Sequence, residues 1–182
     1  MDSIQTFFSG GDTDRMANLR KDAQALQAIL QGATAYLLPV CDGELLICGE
    51  RPALLQANQH RSYGIELLEI SQLVYLGRDG GKDLFALDIR RFDAFAAPDN
   101  TSFLSGRGLL GSVDSASAAL LAYARAMLHW HTAHRYCGCC GALNHSIEGG
   151  FVMECSDCGQ RSFPRLDPAI IVLVEDEDRC LL

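Results

Sequence analysis

The sequence predicts an α+β fold: an N-terminal unit of mixed sheet and helix, then a small cysteine-rich ribbon, then the opening strand or strands of an incomplete further unit. Three observations predict it. Apolar runs of strand length, separated by glycine-containing turns, fill residues 35–89; two helical patterns flank them; and five of the eight cysteines crowd between positions 137 and 158. The 182 residues are 48% hydrophobic and 21% charged with only 5 prolines, a composition that supports a core and argues against general disorder. At roughly 100–200 residues per domain, one main core with a small appendage is expected.

Taken in order, good helix formers dominate Met16–Leu30, with Leu19, Leu26, Ile29 and Leu30 at helical spacing and Gly32 as the stop. Ala35–Val40 and Glu44–Cys48 are apolar runs around Asp42-Gly43, a hairpin signal. Ile65–Ile70, Leu73–Leu76 and Leu84–Ile89 read as further strands, the last two flanking a glycine-rich stretch from Gly77 to Asp83. That stretch lacks the Walker spacing and runs into a strand, so it predicts a hairpin turn instead of a phosphate loop. Residues 91–111 read as irregular. Asp114 or Ser115 should cap a helix through about His131, whose stripe of Leu120, Tyr123, Met127 and Trp130 packs on the sheet. Past the cysteines, Ala169–Val174 reads as a strand, Glu175–Asp178 as an acidic turn and Arg179–Leu182 as the start of another strand. A lone hairpin is marginal in water, so this stretch reads as the beginning of a domain whose remainder is missing. The expected units are 1–132, 133–166 and 167–182.

Fifteen Lys+Arg against 23 Asp+Glu give a formal net charge of −8, which disfavours non-specific attraction to a nucleic-acid backbone but leaves room for a local basic patch. No run of about 18 apolar residues exists and the N-terminus lacks a secretory pattern, so the expectation is a soluble cytoplasmic protein without membrane contact. In a reducing compartment, clustered cysteines point to metal rather than disulfides.

Cys137-Gly-Cys-Cys140-Gly141 and Cys155-Ser-Asp-Cys158-Gly159 form a C-x₂-C-x₁₄-C-x₂-C arrangement. Each pair aims two sulfurs at one point, and the glycine after each supplies unusual dihedrals and room for amide-to-sulfur hydrogen bonds. Cys137, Cys140, Cys155 and Cys158 are therefore the candidate ligands of a tetrahedral Zn²⁺, a structural site with no position open to water. Nothing in the sequence favours iron. Cys139 lies inside the first knuckle and reads as a bystander. His129, His131, His134 and His145 read as solvated or helix-end histidines because the four thiolates already fill the coordination sphere. Glu175, Asp176, Glu177 and Asp178 read as a solvated tip instead of a Mg²⁺ site.

Trp130-His131, His134-Arg135-Tyr136 with the first knuckle, the second knuckle, and Ser162-Phe163-Pro164-Arg165-Leu166-Asp167-Pro168-Ala169-Ile170-Ile171-Val172 together resemble the NADH pyrophosphatase branch of the Nudix hydrolases. Asp14-Arg15 and Leu19-Arg20-Lys21-Asp22 before the first helix are similar to that family's N-terminal region. The resemblance implies three parts: an N-terminal α+β domain, a zinc ribbon and a catalytic Nudix domain. It implies hydrolysis of NAD(H) to AMP and NMN(H), with NAD-capped RNA as a further substrate and a homodimer as the assembly. It also implies Mg²⁺ or Mn²⁺ held by the glutamates of a Nudix box, G-x₅-E-x₇-R-E-x-x-E-E-x-G, which these residues do not contain. No catalytic residue is carried over, and the expectation is a chain truncated before the box and inactive alone. By resemblance, Phe163 sits where a ring stacks on a base, although it also reads as a core aromatic. Arg107 matches a substrate-binding arginine, although it also reads as a solvated loop residue. The alternative is a non-enzymatic zinc-ribbon module that binds RNA or a protein partner through His134, Arg135, Arg161 and Arg165. A ligand-free scaffold or dimerisation fragment is a third reading.

Overall fold

The computed structural model describes residues 6–66, 68–165, 172–176 and 179–180. Among these, the first helix, α1, is shorter than expected, Ala23–Leu30. Asp22 decides this: its extended backbone cannot continue a helix, and its carboxylate accepts from the Ala25 amide at 2.9 Å. Met16 takes a positive φ, and only a short 3₁₀ turn at Leu19–Lys21 precedes the cap.

Strands β1 (Ala35–Cys41) and β2 (Glu44–Cys48) form the expected hairpin about Asp42-Gly43. Short β3 (Arg51–Pro52) pairs with β2, and β4 (Leu55–Gln56) pairs with the start of β1. The expected strand at Ile65–Ile70 is corrected: Leu67 lies outside the described residues, and the others are in no strand. Ile65 is instead a buried anchor for a loop between 3₁₀ turns at Ala57–Tyr63 and Ile70–Gln72, the latter closed by a Glu69/Gln72 capping box. Strands β5 (Leu73–Asp79) and β6 (Lys82–Asp88) run deep into the glycine-rich stretch, leaving Gly80-Gly81 as the turn. The irregular region 91–111 contains a strand that the sequence reading missed, β7 (Thr101–Leu104), paired with β2. Its four residues lie between a turn at Asn100 and the Ser105–Gly108 loop, which hid a pattern that short.

Seven of the described strands form one mixed sheet, ordered β3-β2-β1-β6-β5, with β4 on β1 and β7 on β2. β1 and β6 run parallel at its centre. Alternation along the strands feeds two cores. Leu38, Val40, Val74, Leu76, Leu84 and Ala86 face one side, under α2 (Ser115–Ala133), whose Ala118, Leu121, Ala124 and Met127 fill that core. Leu37, Leu73, Tyr75, Phe85 and Leu87 face the other, where Leu26 and Leu30 of α1 cover them. Burial on both faces explains why β5 and β6 read as continuous apolar runs. α2 begins as expected, with the Asp114 carboxylate accepting from the Ser117 amide at 2.7 Å.

The ribbon is a second sheet of three strands, β8 (Asn144–Ile147), β9 (Val152–Cys155) and β10 (Arg161–Ser162). Beyond it, residues 166–171 lie outside the described ones, so the first half of the expected strand Ala169–Val174 does too. Val172–Val174 are exposed and in no strand, which corrects the second half. Glu175–Asp176 are a short strand, β11, paired with β12 (Arg179–Cys180), where an acidic turn was expected; residues 177–178, 181 and 182 lie outside the described residues. No helix among the described residues is long and apolar enough to cross a membrane.

Candidate metal centre

Two tight turns, each opening on a cysteine, build the centre. Gly141 donates to the Cys137 carbonyl at 2.9 Å and Gly159 to the Cys155 carbonyl at 3.2 Å. Both glycines sit at positive φ, 79° and 68°, the backbone that the sequence required of them. The pairing of β8 with β9 brings the turns together, and the Sγ atoms of Cys137, Cys140, Cys155 and Cys158 all lie within 4.8 Å of one another. Individual separations are 3.7 Å for Cys137–Cys158, 3.4 Å for Cys140–Cys155 and 3.5 Å for Cys140–Cys158. A tetrahedral ion with Zn–S bonds of about 2.3 Å sets its sulfurs about 3.8 Å apart, so the donor set fits a four-coordinate thiolate site and is far too open for disulfides.

Backbone amides favour the thiolate at all four cysteines, and the net shift is downward at one of each pair. Amides of the first turn hold the Cys137 thiol down at about 6, among them Cys139 N, 3.3 Å from its sulfur. Amides of Cys158 and Asp157, at 3.5 and 3.4 Å, lower Cys155 in the same way. The Gln160 amide favours the Cys158 thiolate, yet the neighbouring Cys140 and Cys155 sulfurs outweigh it and push this thiol up to about 12. All four can be thiolates together only with a cation among them. Such a cluster can hold a metal ion, and with four protein ligands it offers no open coordination position for catalysis.

Cys139 is exposed and contributes its amide, not its sulfur, to the cluster. The histidines also stay outside it. His131 Nε2 bonds the Gly150 carbonyl at 2.7 Å, and His134 Nδ1 lies 3.0 Å from the Trp130 carbonyl. His145 faces Glu154 at 3.7 Å, and His129 lines a surface cavity beside Arg125. Phe163 follows β10 and is 60% exposed among the described residues. Arg107 is an exposed residue of the loop between β7 and α2, at a groove of about 550 Å³ whose walls include Phe8, Leu110 and Arg125.

Sequence reasoning missed how the ribbon is fastened to the sheet. Its central turn, Glu148–Gly150, lies directly on β5: a Cβ on Gly150 would meet Val74 Cα at 3.0 Å, and one on Gly149 would meet Tyr75 Cβ at 3.3 Å. Phe151 is flanked by the Arg20 guanidinium, 3.6 Å above its ring, and by Tyr123 of α2. The available signal was the Gly149-Gly150-Phe151 sequence midway between the knuckles, a tight approach followed by an aromatic plug.

The main sheet and α2 have relatives of their own. Residues 18–130 match the family model of the NADH pyrophosphatase-like rudimentary NUDIX domain. The chain belongs to the NADH pyrophosphatase family of Nudix hydrolases. Among curated members, Nudix hydrolase 19, chloroplastic, of Arabidopsis thaliana is 38% identical over 136 residues, 66% of this chain and 31% of its own length. The NAD-capped RNA hydrolase NudC of Stutzerimonas stutzeri is 35% identical over 107 residues, covering 59% and 38%. The protein of the same name from Mycobacterium tuberculosis is 33% identical over 176 residues, covering 93% and 53%. The chain thus spans between about a third and about half of the length of these curated relatives.

Proposed function

We propose that this chain is the N-terminal and zinc-ribbon portion of an NAD(H) diphosphatase. The intact enzyme hydrolyses the pyrophosphate of NAD(H) to AMP and NMN(H) and acts also on NAD-capped RNA. The observation that carries the reading is the juxtaposition of a family-matched sheet at residues 18–130 with a four-sulfur cluster directly after it. The proposed units are 1–132 for the α+β domain, 133–166 for the ribbon and 167–182 for the start of a Nudix domain. Cys137, Cys140, Cys155 and Cys158 would hold one Zn²⁺, which supplies folding energy to a segment with few large apolar residues of its own. Mg²⁺ or Mn²⁺ belongs with the Nudix box, where such ions neutralise a pyrophosphate and activate water; these 182 residues contain no such box.

Within this chain, the exposed ring of Phe163 suits stacking on a base, and the Arg107 guanidinium suits a phosphate. We assign the protein to the cytoplasm, as its unpaired cysteines suit a reducing compartment, and to a homodimer. The test has two arms. The 182-residue chain, assayed with NADH and Mg²⁺ or Mn²⁺, should release no AMP, while a protein expressed from the full source reading frame should. AMP release by the 182-residue chain would place the chemistry in residues assigned here no catalytic role. Absence of release by the longer protein would overturn the diphosphatase reading.

A further inference from the structure

The sequence offered a modest basic surface near the knuckles; the fold enlarges it with residues from the other unit. The 3₁₀ turn Ile89–Arg91, at the end of β6, places Arg90 and Arg91 along one wall of a cleft of about 620 Å³. Arg135 and His145, on either side of the first knuckle, line the same cleft. Asp88 is the one carboxylate among its lining residues; Arg90 binds it at 2.6 Å and also binds Asp42, outside the lining, at 3.0 Å. Glu154, beside His145, is likewise taken up by Arg161. Arg91 and Arg135 have no ion-pair partner among the described residues. In a chain of net charge −8, two guanidiniums without an ion pair in one cleft, with only Asp88 as a lining carboxylate, make a locally positive surface.

An aromatic lies next to two of the lining residues, Arg135 in sequence and Leu143 across a bridge. Tyr136 is 59% exposed and is bridged to Leu143, which lines the cleft and is itself exposed. The Arg135 guanidinium lies 5.7 Å from the Tyr136 ring centre. A large ring left in water beside an unpaired arginine is the arrangement on which an unstacked base can sit while the next phosphate meets the cation. The hydroxyls of Ser71 and Ser146 add polar groups to the lining, suited to sugar and phosphate oxygens.

We propose that this cleft between ribbon and sheet is a track for the phosphodiester backbone of single-stranded nucleic acid, with Tyr136 as its stacking platform. It deepens the reading above, on which it rests for the identity of the strand, by assigning the body of a capped RNA to a surface of this chain. The zinc-loaded protein is titrated into a 3′-labelled, 12-nucleotide single-stranded RNA with a 5′-hydroxyl end, and polarisation is followed at several salt concentrations. Binding should weaken with salt, and Arg91→Ala with Arg135→Ala should reduce the steepness of log K against log[salt] by about 1.4, or about 0.7 for each phosphate contact. The pair Arg91→Lys and Arg135→Lys should restore that steepness. Tyr136→Ala should lower affinity roughly tenfold and leave the salt dependence alone. Hydrogen exchange of the unmodified protein should show RNA-dependent protection at residues 88–91 and 143–146, a readout that needs no variant to fold.

Absence of binding, binding that the double alanine variant leaves unchanged, or protection elsewhere would overturn the proposal. Competition by polyglutamate as effective as by RNA would point to an acidic protein partner and also overturn it. The oligonucleotide carries no cap and no turnover is read, so failure here leaves NADH hydrolysis by the longer protein untouched. An inactive longer protein leaves the binding result standing.

Discussion

The sheet and the ribbon answer the same question, how to hold a backbone in place, by different physics. The sheet buries Leu37, Leu38, Leu45, Ile47, Tyr75 and Phe85 almost completely, between α1 on one face and α2 on the other. Its stability is spread over many apolar contacts, so that any one of them can be weakened without losing the whole. The ribbon buries Val152 and Met153 and little else that is large and apolar, and concentrates its stability on four sulfur atoms. A distributed core fails gradually, whereas a metal cluster fails when one ligand goes. The two are not independent, because Gly150 and Phe151 of the ribbon are packed on β5, Arg20 and α2.

The largest effect that separates the two follows from removing one sulfur. Cys155→Ser should take the zinc content from about one per chain to none, read by metal analysis, and should abolish the thiolate charge-transfer band of a cobalt-substituted sample. Hydrogen-exchange protection should vanish across β8 and β9 and persist in β1 and β6. If protection in β1 and β6 collapsed as well, the sheet would owe its order to the metal and the comparison would fail.

Next in size is the converse. Phe85→Ala empties a fully buried position on the α1 face and should cost about 3–5 kcal/mol in urea denaturation. Zinc content should stay at one per chain under native conditions. Loss of metal in this variant, while the chain is still folded, would mean that the sheet dictates the ribbon's geometry.

These two outcomes parallel what could be read from the sequence. The β1–β2 and β5–β6 hairpins and the cysteine knuckles were legible because each is local: alternation, a two-residue turn or a fixed ligand spacing lies within a dozen neighbouring residues. Helix α2 was legible from its stripe and from Asp114. The short strand β7 was not, since four residues between glycine- and asparagine-containing turns carry too little periodicity. The early start assumed for α1 was wrong because Asp22 reads as an ordinary helix residue until its extended backbone is seen. The ribbon–sheet junction was hidden because it joins Val74 to Gly150 and Arg20 to Phe151, across distances in sequence at which no pattern can operate. The placement of Arg90 and Arg91 beside Arg135 was hidden for the same reason. The resemblance rested most specifically on the ribbon, whereas the family match falls on residues 18–130. The two halves of the assignment therefore come from different parts of the chain.

The junction itself can be weakened without removing a side chain from either core. Gly150→Ala places a methyl group 3.0 Å from Val74 Cα at a φ of 93°, and should cost about 2 kcal/mol. Its distinctive sign is faster exchange in the Glu148–Phe151 turn with zinc and β1–β6 protection retained. A variant as stable as the parent would show that the turn can lift off β5 at no cost.

The smallest effect is a pH dependence of the same junction. His131, at the end of α2, donates from Nε2 to the Gly150 carbonyl, and burial lowers its pKa from the ordinary value of 6.5, with Arg91 and His134 nearby adding to that direction. The neutral ring is therefore the form that the folded junction holds. Above about pH 6.5 the imidazole is neutral in both folded and unfolded chains, and its contribution is constant. As pH falls from there toward the lowered folded-state value, the unfolded chain takes up the proton first and the junction loses stability. Trp130, the single tryptophan of the chain, has its ring centre 5.4 Å from that of His131 and 5.1 Å from that of His134, so the His131 signal is the part of its titration that His131→Gln removes. Its fluorescence in the folded protein should titrate below 6.5, and the fall in stability between pH 6.5 and 5 should be smaller in His131→Gln. An unchanged slope in that variant would assign the pH dependence to other groups and leave the hydrogen bond to Gly150 as packing alone.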